Sequence, residues 1–514
     1  MMKKIGMTKK VVAAMTMAAM TMSSLAGCGS SNTAEPAQTE EPAADTAADT
    51  AAETPAADTT EAAADTTEAT AEPEEEEVSE YTVLTDANGN VYDLGGMELI
   101  IRDWWSDAEG NAPEPANAFE EARQEWREWA EETYNFTVKE VGMSGWDTTP
   151  EDYANYVTGG GDDNAYVFRL RDDAMGDALA NGLMYDLSTL DCLDFSDPMF
   201  TKNKCNVQYT IGGGTYAMYP NNSEPRLGIF FNKRLLTDAG IDPDSLYDMV
   251  ADGTWTWDKF TEILDQVQRD TDNDGQIDVW GLAANGMNNI APVAVVGNGG
   301  AFVGKDASGN FTYELESQAT LDALEFVNTL GAKYYFVHEG PDDAWDHYKE
   351  EFQNGTCVFL AEDTYCGYEG GIVETMDDEC GFVPFPKSPN GDYINVWSNN
   401  PECIPACYDA EKAWNIAFAW KLYNQLPPGY EDYNSYQSNW EKGMYDSRAI
   451  NEVLPMLQTP EHGTVVYQGT VPQLQLGSDF TWNFSATSVV SEMVDAIRDT
   501  WKGYIDDANA AFNK

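Results

Sequence analysis

Basic residues are what this chain has least of. Lysine and arginine number 28 against 89 aspartates and glutamates, giving a formal net charge of −61 over 514 residues. A surface of that sign repels phosphates, which excludes nucleic acid as a partner and makes anionic lipid a poor one. Histidine is scarcer still: His338, His347 and His462 are all there is, which leaves little material for imidazole-based acid–base chemistry. No cysteines fall in a Cys-x-x-Cys arrangement with histidine spacing, which argues against a zinc site. Also absent is any uninterrupted apolar run of the ~18–20 residues that a membrane helix needs.

The N-terminus carries a processing signal instead. Lys3, Lys4, Lys9 and Lys10 form a positive start, VVAAMTMAAMTM is a short apolar stretch, and small residues lead to Leu25-Ala26-Gly27-Cys28. This resembles the lipobox of bacterial lipoproteins. The resemblance implies removal of residues 1–27, acylation of Cys28 and a lipid anchor on the extracellular face of the cell membrane. Loss of four lysines takes the formal charge from −61 to −65. From the lipidated Cys28 to residue 80 runs a segment of Ala, Thr, Glu, Asp and Pro, with sixteen acids, no base, and Val78 as its only large aliphatic residue. Such a segment cannot bury enough apolar surface to offset its ordering entropy, and like charges keep it extended. It reads as a disordered tether.

Residues 81–514 hold all fifteen tryptophans and are long enough for two ordinary domains or one large one. Seven cysteines lie there: Cys192, Cys205, Cys357, Cys366, Cys380, Cys403 and Cys407. An odd count leaves at least one thiol unpaired, while an exported location permits disulfides, with Cys403–Cys407 and Cys357–Cys366 both open as pairs.

Along this region strands and helices alternate. MELIIR (97–102) is a β-type run that ends in Asp103-Trp104-Trp105-Ser106. A helix is expected over Ala118–Tyr134, with Phe119, Ala122, Trp126, Trp129 and Ala130 on one face and Asn117 as cap. FTVKEV (136–141) and YVFRL (166–170) read as further strands, with a helical stretch near 172–181. The pattern resumes with the strand RLGIFFNK (226–233), a helix at Lys233–Ala239 stopped by Gly240, and the helix WDKFTEILDQVQ (257–268) capped by Thr256. IDVWGLA and TCVFLAED (356–363) are strands; TLDALEFVNTLGAKYY and EKAWNIAFAWKLYNQL (411–426) are helices. This alternation predicts an α/β fold with a largely parallel sheet.

The run YAMYPNNSEPRLGIFFNKRLLTDAGID, followed by GTWTWDKFTEIL, resembles the extracellular solute-binding proteins of bacterial ABC importers, in particular their maltose-binding-protein-like, sugar-binding branch. Phe231-Asn232-Lys233, Ala239-Gly240 and Thr256-Trp257 fill the family's positions, and FQNGTCVFL (352–360), GFVPFPKSPNG (381–391) and Glu411–Trp414 follow in order. The resemblance covers 97–430 and weakens beyond. It implies a two-lobe, periplasmic-binding-protein-like (type II) fold that encloses a solute between lobes. Lobe 1 would hold about 81–219 with part of 398–514, and lobe 2 about 220–397 with part of the C-terminal region. It implies no enzymatic activity, a monomer, and a carbohydrate (mono- or oligosaccharide) handed to the transmembrane subunits of an ABC permease.

Open α/β sheets bind ligands beyond the carboxyl ends of their strands. The residues there are Asp103-Trp104-Trp105, Arg171-Asp172-Asp173, Glu362-Asp363-Thr364-Tyr365 and Trp397-Ser398-Asn399-Asn400. Sugars offer C–H faces and a rim of hydroxyls, so flat rings edged by carboxylates and amides suit them. The expected ligand residues are Asp103, Trp104, Trp105, Asp172, Trp255, Asp363, Tyr365, Trp397 and Asn399. Adjacent Trp104 and Trp105 point opposite ways in an extended chain, so one at most faces the cleft. Trp397 is the favoured stacking platform, whereas Trp126, Trp129, Trp257 and Trp414 sit at helical packing positions.

DTDNDGQIDVWG (270–281) holds most of a calcium loop. Asp270, Asp272 and Asp274 take positions one, three and five, Gly275 makes the turn, Gln276 supplies a carbonyl, and Asp278 is position nine. Position twelve, a bidentate glutamate in such loops, is Gly281, and a strand rather than a helix follows. A sensor needs that second helix, so the expected calcium is structural. The rival reading of the whole chain is a secreted glycan-degrading enzyme working through paired carboxylates, though no short motif marks such a pair.

Overall fold

Two four-stranded sheets, each buried in its own helices, form the two lobes of this α/β chain. The computed structural model describes residues 81–336, 346–389, 391–484 and 487–512. The signal segment, Cys28, the tether and His338 lie outside them. In chain order the strands are β1 (Met97–Asp103), β2 (Phe136–Gly142), β3 (Ala165–Arg169), β4 (Gly228–Asn232), β5 (Trp280–Ala284), β6 (Cys357–Glu362), β7 (Cys380–Pro384) and β8 (Glu402–Cys403).

The first sheet has the order β8-β3-β1-β2, with β1, β2 and β3 parallel and β8 returning antiparallel on β3. In the second, β7-β4-β6-β5, strands β5 and β6 are parallel but β4 runs against both its neighbours. The expectation of a largely parallel arrangement therefore holds for the first sheet and is corrected for the second. The chain enters β4 from the inter-lobe crossing at Glu224–Pro225, at the end where β6 finishes, so β4 must run the other way. A second crossing strand, Asn395–Ser398, pairs Trp397 with Pro225 and runs parallel to Gly463–Thr464.

The helices form where apolar spacing and capping agree. Helix α1 (Ala118–Tyr134) starts at Asn117, whose side chain accepts the Glu120 amide at 3.0 Å, and it buries Phe119, Trp126, Ala130 and Tyr134. The Trp126 indole donates to the Leu422 carbonyl at 2.8 Å, binding α1 to the helix at Ala410–Asn424. Helix α2 (Trp257–Val267) is capped by Thr256 and buries Trp257, Phe260, Ile263, Leu264 and Val267 against the second sheet. Strands β3, β4, β6 and β7 are buried along their whole length, as expected of strands covered on both faces.

All seven cysteines of this region are free thiols. Neither bridge left open above forms. Cys403 points into the core with Sγ 4.0 Å from Met175 Sδ while Cys407 lies beside Gly161, and Cys357 and Cys366 are separated by the length of β6.

Candidate functional site

At its carboxyl edge the first sheet is closed by one guanidinium. Arg169 ends β3, and its nitrogens lie 2.8 Å from Asp103 at the end of β1, 2.7 Å from Glu140 on β2 and 2.8 Å from Glu402 on β8. All four strands thus meet at one cation. Burial pushes the Glu140 carboxyl up, but Arg169 and Arg127 pull harder and hold it at about 2. Burial dominates at Glu402, which is raised; its second oxygen takes the Trp420 indole N–H.

Asp103 is fully buried and also accepts the amides of Trp105 and Ser106 at 3.1 and 2.9 Å and the Ser106 hydroxyl at 2.7 Å. No lone pair remains for a sugar hydroxyl, so Asp103 is a structural residue, contrary to expectation.

The second sheet's corresponding edge is open. Arg226, just before β4, sits opposite the end of β6 with Nη2 3.0 Å from Asp363, and half of its side chain is exposed (51%). Burial pushes the Asp363 carboxyl up, and the adjacent Arg226 charge opposes it. Asn289 donates to Glu362 at 3.3 Å from the same wall.

Between these edges lies a cavity of about 320 Å³. The first sheet's side supplies Trp146, Arg171, Asp172 and Asp173; the second supplies Arg226, Asn288, Asn289 and Val293; Asn399 and Asn400 come from the crossing. The C-terminal return adds Gln468, Gly469, Leu476, Gly477 and Trp482. Two indoles face this space with most of their surface free, Trp146 at 58% and Trp482 at 68% exposure. Arg171 lies 3.9 Å from the centre of the Trp146 ring and covers one of its faces. Beneath Trp482, a Cβ on Gly477 would come within 2.7 Å of the indole, so glycine lets the ring lie on the backbone. Gly469 does the same for the approach to Asp172, whose carbonyl would be 2.4 Å from a Cβ there. Burial raises the Asp172 carboxyl, and Arg226 works against that.

Of the residues expected to bind ligand, Asp172 and Asn399 line the cavity. Asp363 stands behind the wall, holding Arg226. Trp397 and Trp255 are corrected to packing residues: both are buried, with indole N–H groups donated to the Leu457 carbonyl at 2.9 Å and the Pro384 carbonyl at 2.8 Å. Trp104 and Trp105 contact each other edge-on, centroids 4.8 Å apart, and neither lines the cavity, although Trp105 is exposed. Tyr365 is also off the cavity, its hydroxyl accepting from Lys349 at 2.6 Å.

The reading from residues missed Trp146, Trp482 and Arg226. Trp146 lies in Ser-Gly-Trp-Asp-Thr, a stretch too polar and turn-prone for an element, and a tryptophan without an apolar partner at element spacing is the signal that was there to use.

In the 270–279 loop, side-chain oxygens of Asp270, Asp272 and Asp278 converge within 4.8 Å of one another. Asp270 accepts the amides of Asn273 and Gly275 at 2.6 and 2.8 Å. Asp274 takes the Gln276 amide at 2.8 Å and stays outside the trio.

A family model described as bacterial extracellular solute-binding protein matches residues 116–419, more than half of the chain. The sequence has no significant match among curated proteins. Among solved structures, UgpB from Mycobacterium tuberculosis in complex with glycerophosphocholine superposes with a TM-score of 0.53 at 19% identity, covering 75% of this chain and 95% of that one. M. tuberculosis UspC gives 0.51 at 17% identity, with 81% and 100% covered. The cyclic α-maltosyl-1,6-maltose binding protein from Arthrobacter globiformis gives 0.51 at 15% identity, with 82% and 98% covered. These likenesses are of fold. Among the described residues no helix is long and apolar enough to cross a membrane.

Proposed function

The chain belongs to the bacterial extracellular solute-binding proteins, and from that premise we propose that it captures a carbohydrate between its lobes and delivers it to the membrane subunits of an ABC permease. The observation that carries the sugar assignment is the pair of exposed indoles, Trp146 and Trp482, on a cavity whose polar rim carries amides, carboxylates and two guanidiniums. Aromatic faces match the C–H face of a pyranose, and the polar rim matches its hydroxyls. The fold alone leaves the ligand open, since one neighbour is a sugar-binding protein and another is in complex with glycerophosphocholine; the lining chemistry is what supports a sugar.

A binding role rather than catalysis is what the family supports. Thermal denaturation of the purified protein against panels of saccharides, peptides and glycerophosphodiesters tests it, because a ligand that binds only the folded state raises the melting temperature. A sugar is expected to do so; stabilisation by non-sugars alone would overturn the reading.

The protein acts as a monomer held on the extracellular face of the membrane through acylated Cys28, with residues 28–80 as spacer; Cys28→Ala is expected to release it into the medium. The three converging carboxylates at 270–278 suit a hard cation that takes oxygen ligands, and we assign them a structural calcium. A chelator should then lower the melting temperature, Asp272→Ala should abolish that sensitivity, and sugar affinity should stay within about two-fold.

A further inference from the structure

We propose that the cavity selects uncharged sugars over uronates and other anionic sugars, and that Asp173 and Asp363 set this preference by neutralising the two arginines on its wall. The proposal rests on the carbohydrate reading above and refines its substrate class.

Two guanidiniums on the wall of a solute site, with side chains 19% (Arg171) and 51% (Arg226) exposed, would ordinarily point to an anionic ligand, because a guanidinium fork matches a carboxylate. Here the fork of Arg171 is already filled. Its Nε is 2.9 Å and its Nη2 3.3 Å from the two oxygens of Asp173, and its Nη1 donates to the Trp146 carbonyl at 3.3 Å. Its flat face is spent as well, lying on the Trp146 ring at 3.9 Å. The second guanidinium, Arg226, has Asp363 at 3.0 Å on its buried side.

Asp172 adds a carboxylate on the same wall, and no cation other than Arg171 and Arg226 is among the described lining residues. The local balance is therefore neutral to negative, inside a chain of formal charge −61. An anionic sugar would lose hydration on entering and find no uncompensated positive charge to replace it. A hydroxyl loses nothing comparable, since Asp172 accepts and Asn399 and Gln468 both donate and accept. Arg171 becomes the stiff backing of an aromatic platform, and Arg226 a donor to neutral oxygens.

The test begins with the purified full chain on a glycan array that carries neutral oligosaccharides beside their uronate-containing counterparts. Hits then go to titration calorimetry at low salt, in the wild type and in Asp173→Asn. Asp173 suits this purpose because its side chain is 46% exposed and its replacement leaves the core untouched. Neutral glycans are expected to bind, each acidic counterpart at least ten-fold more weakly, and Asp173→Asn should narrow that ratio several-fold by freeing the Arg171 fork. Equal or tighter binding of the acidic member would overturn the proposal, and so would an unchanged ratio in the variant. Binding of no glycan at all, with a non-sugar solute stabilising the protein, would instead overturn the carbohydrate reading beneath it.

Discussion

At one edge of the solute cleft a guanidinium is sealed in; at the other a guanidinium is presented. Arg169 has three carboxylates around it and a side chain only 10% exposed, while Arg226 pairs with Asp363 and has a side chain 51% exposed. The chemistry is the same, and the number of strands that converge on each differs. Three strands of the first sheet each deliver a carboxylate to Arg169 on the fourth, which makes it a clasp for that edge. At the second sheet Arg226 belongs to the crossing between lobes rather than to a strand interior, so half of its side chain stays exposed on the cavity wall. A buried ion cluster of the first kind fixes geometry and yields little net stability, yet losing one member leaves the others uncompensated. An ion pair of the second kind holds a binding group in place.

Breaking the clasp should have the largest effect. Arg169→Ala leaves Asp103, Glu402 and Glu140 without their shared cation and should cost about 3–5 kcal/mol in chemical denaturation. Arg226→Ala should cost no more than ~1–2 kcal/mol, because half of its side chain already lies in solvent, while solute affinity falls at least ten-fold. Comparable stability losses from both would erase the distinction between the two edges.

Next come the tryptophans. Trp397→Ala should destabilise the fold by about 3–5 kcal/mol, as large-to-small core substitutions do. Trp482→Ala should leave the melting temperature nearly unchanged and weaken binding by at least ten-fold, following the loss of roughly 1.5–3 kcal/mol of ring burial.

The pH dependence is smaller. Glu140 is held below its ordinary value, at about 2, so its contribution is present above pH ~4.5 and is lost as the pH falls toward 2. Glu140→Gln should remove on the order of 2 kcal/mol from the acid-dependent part of the unfolding free energy, measured as the difference between urea titrations at pH 6 and pH 3. An identical acid dependence in the two proteins would show that Glu140 is not clasped as described.

What could be read from residues followed the reach of each signal. Helices α1 and α2 carry both an apolar face and a side-chain cap, and their extents match to within a residue or so at either end. The direction of β4 has no periodic signature, because a fully buried strand reads the same either way. Trp397 reads as a cleft residue because Ser398, Asn399 and Asn400 follow it, whereas what covers it comes from far along the sequence. A Cβ on Gly463 would lie 1.8 Å from its ring, and the indole is bonded to Leu457. Asp103 looks like a sugar-binding acid for the same reason, since its ion-pair partner Arg169 is distant in sequence. Trp482 lies past residue 430, where the family resemblance weakens, and only the folded return of the C-terminal segment brings it to the cavity that Trp146 also lines.

The central claim is that a sugar is held between Trp146 and Trp482. Titration calorimetry of the double variant Trp146→Ala/Trp482→Ala against the saccharide that stabilises the wild type is its most direct test. A loss of about 100-fold or more in affinity is predicted, on the scale of two aromatic contacts, with the apo melting temperature shifted by no more than about 2 °C. Wild-type affinity in a folded double variant would contradict the account and place the site elsewhere in the molecule.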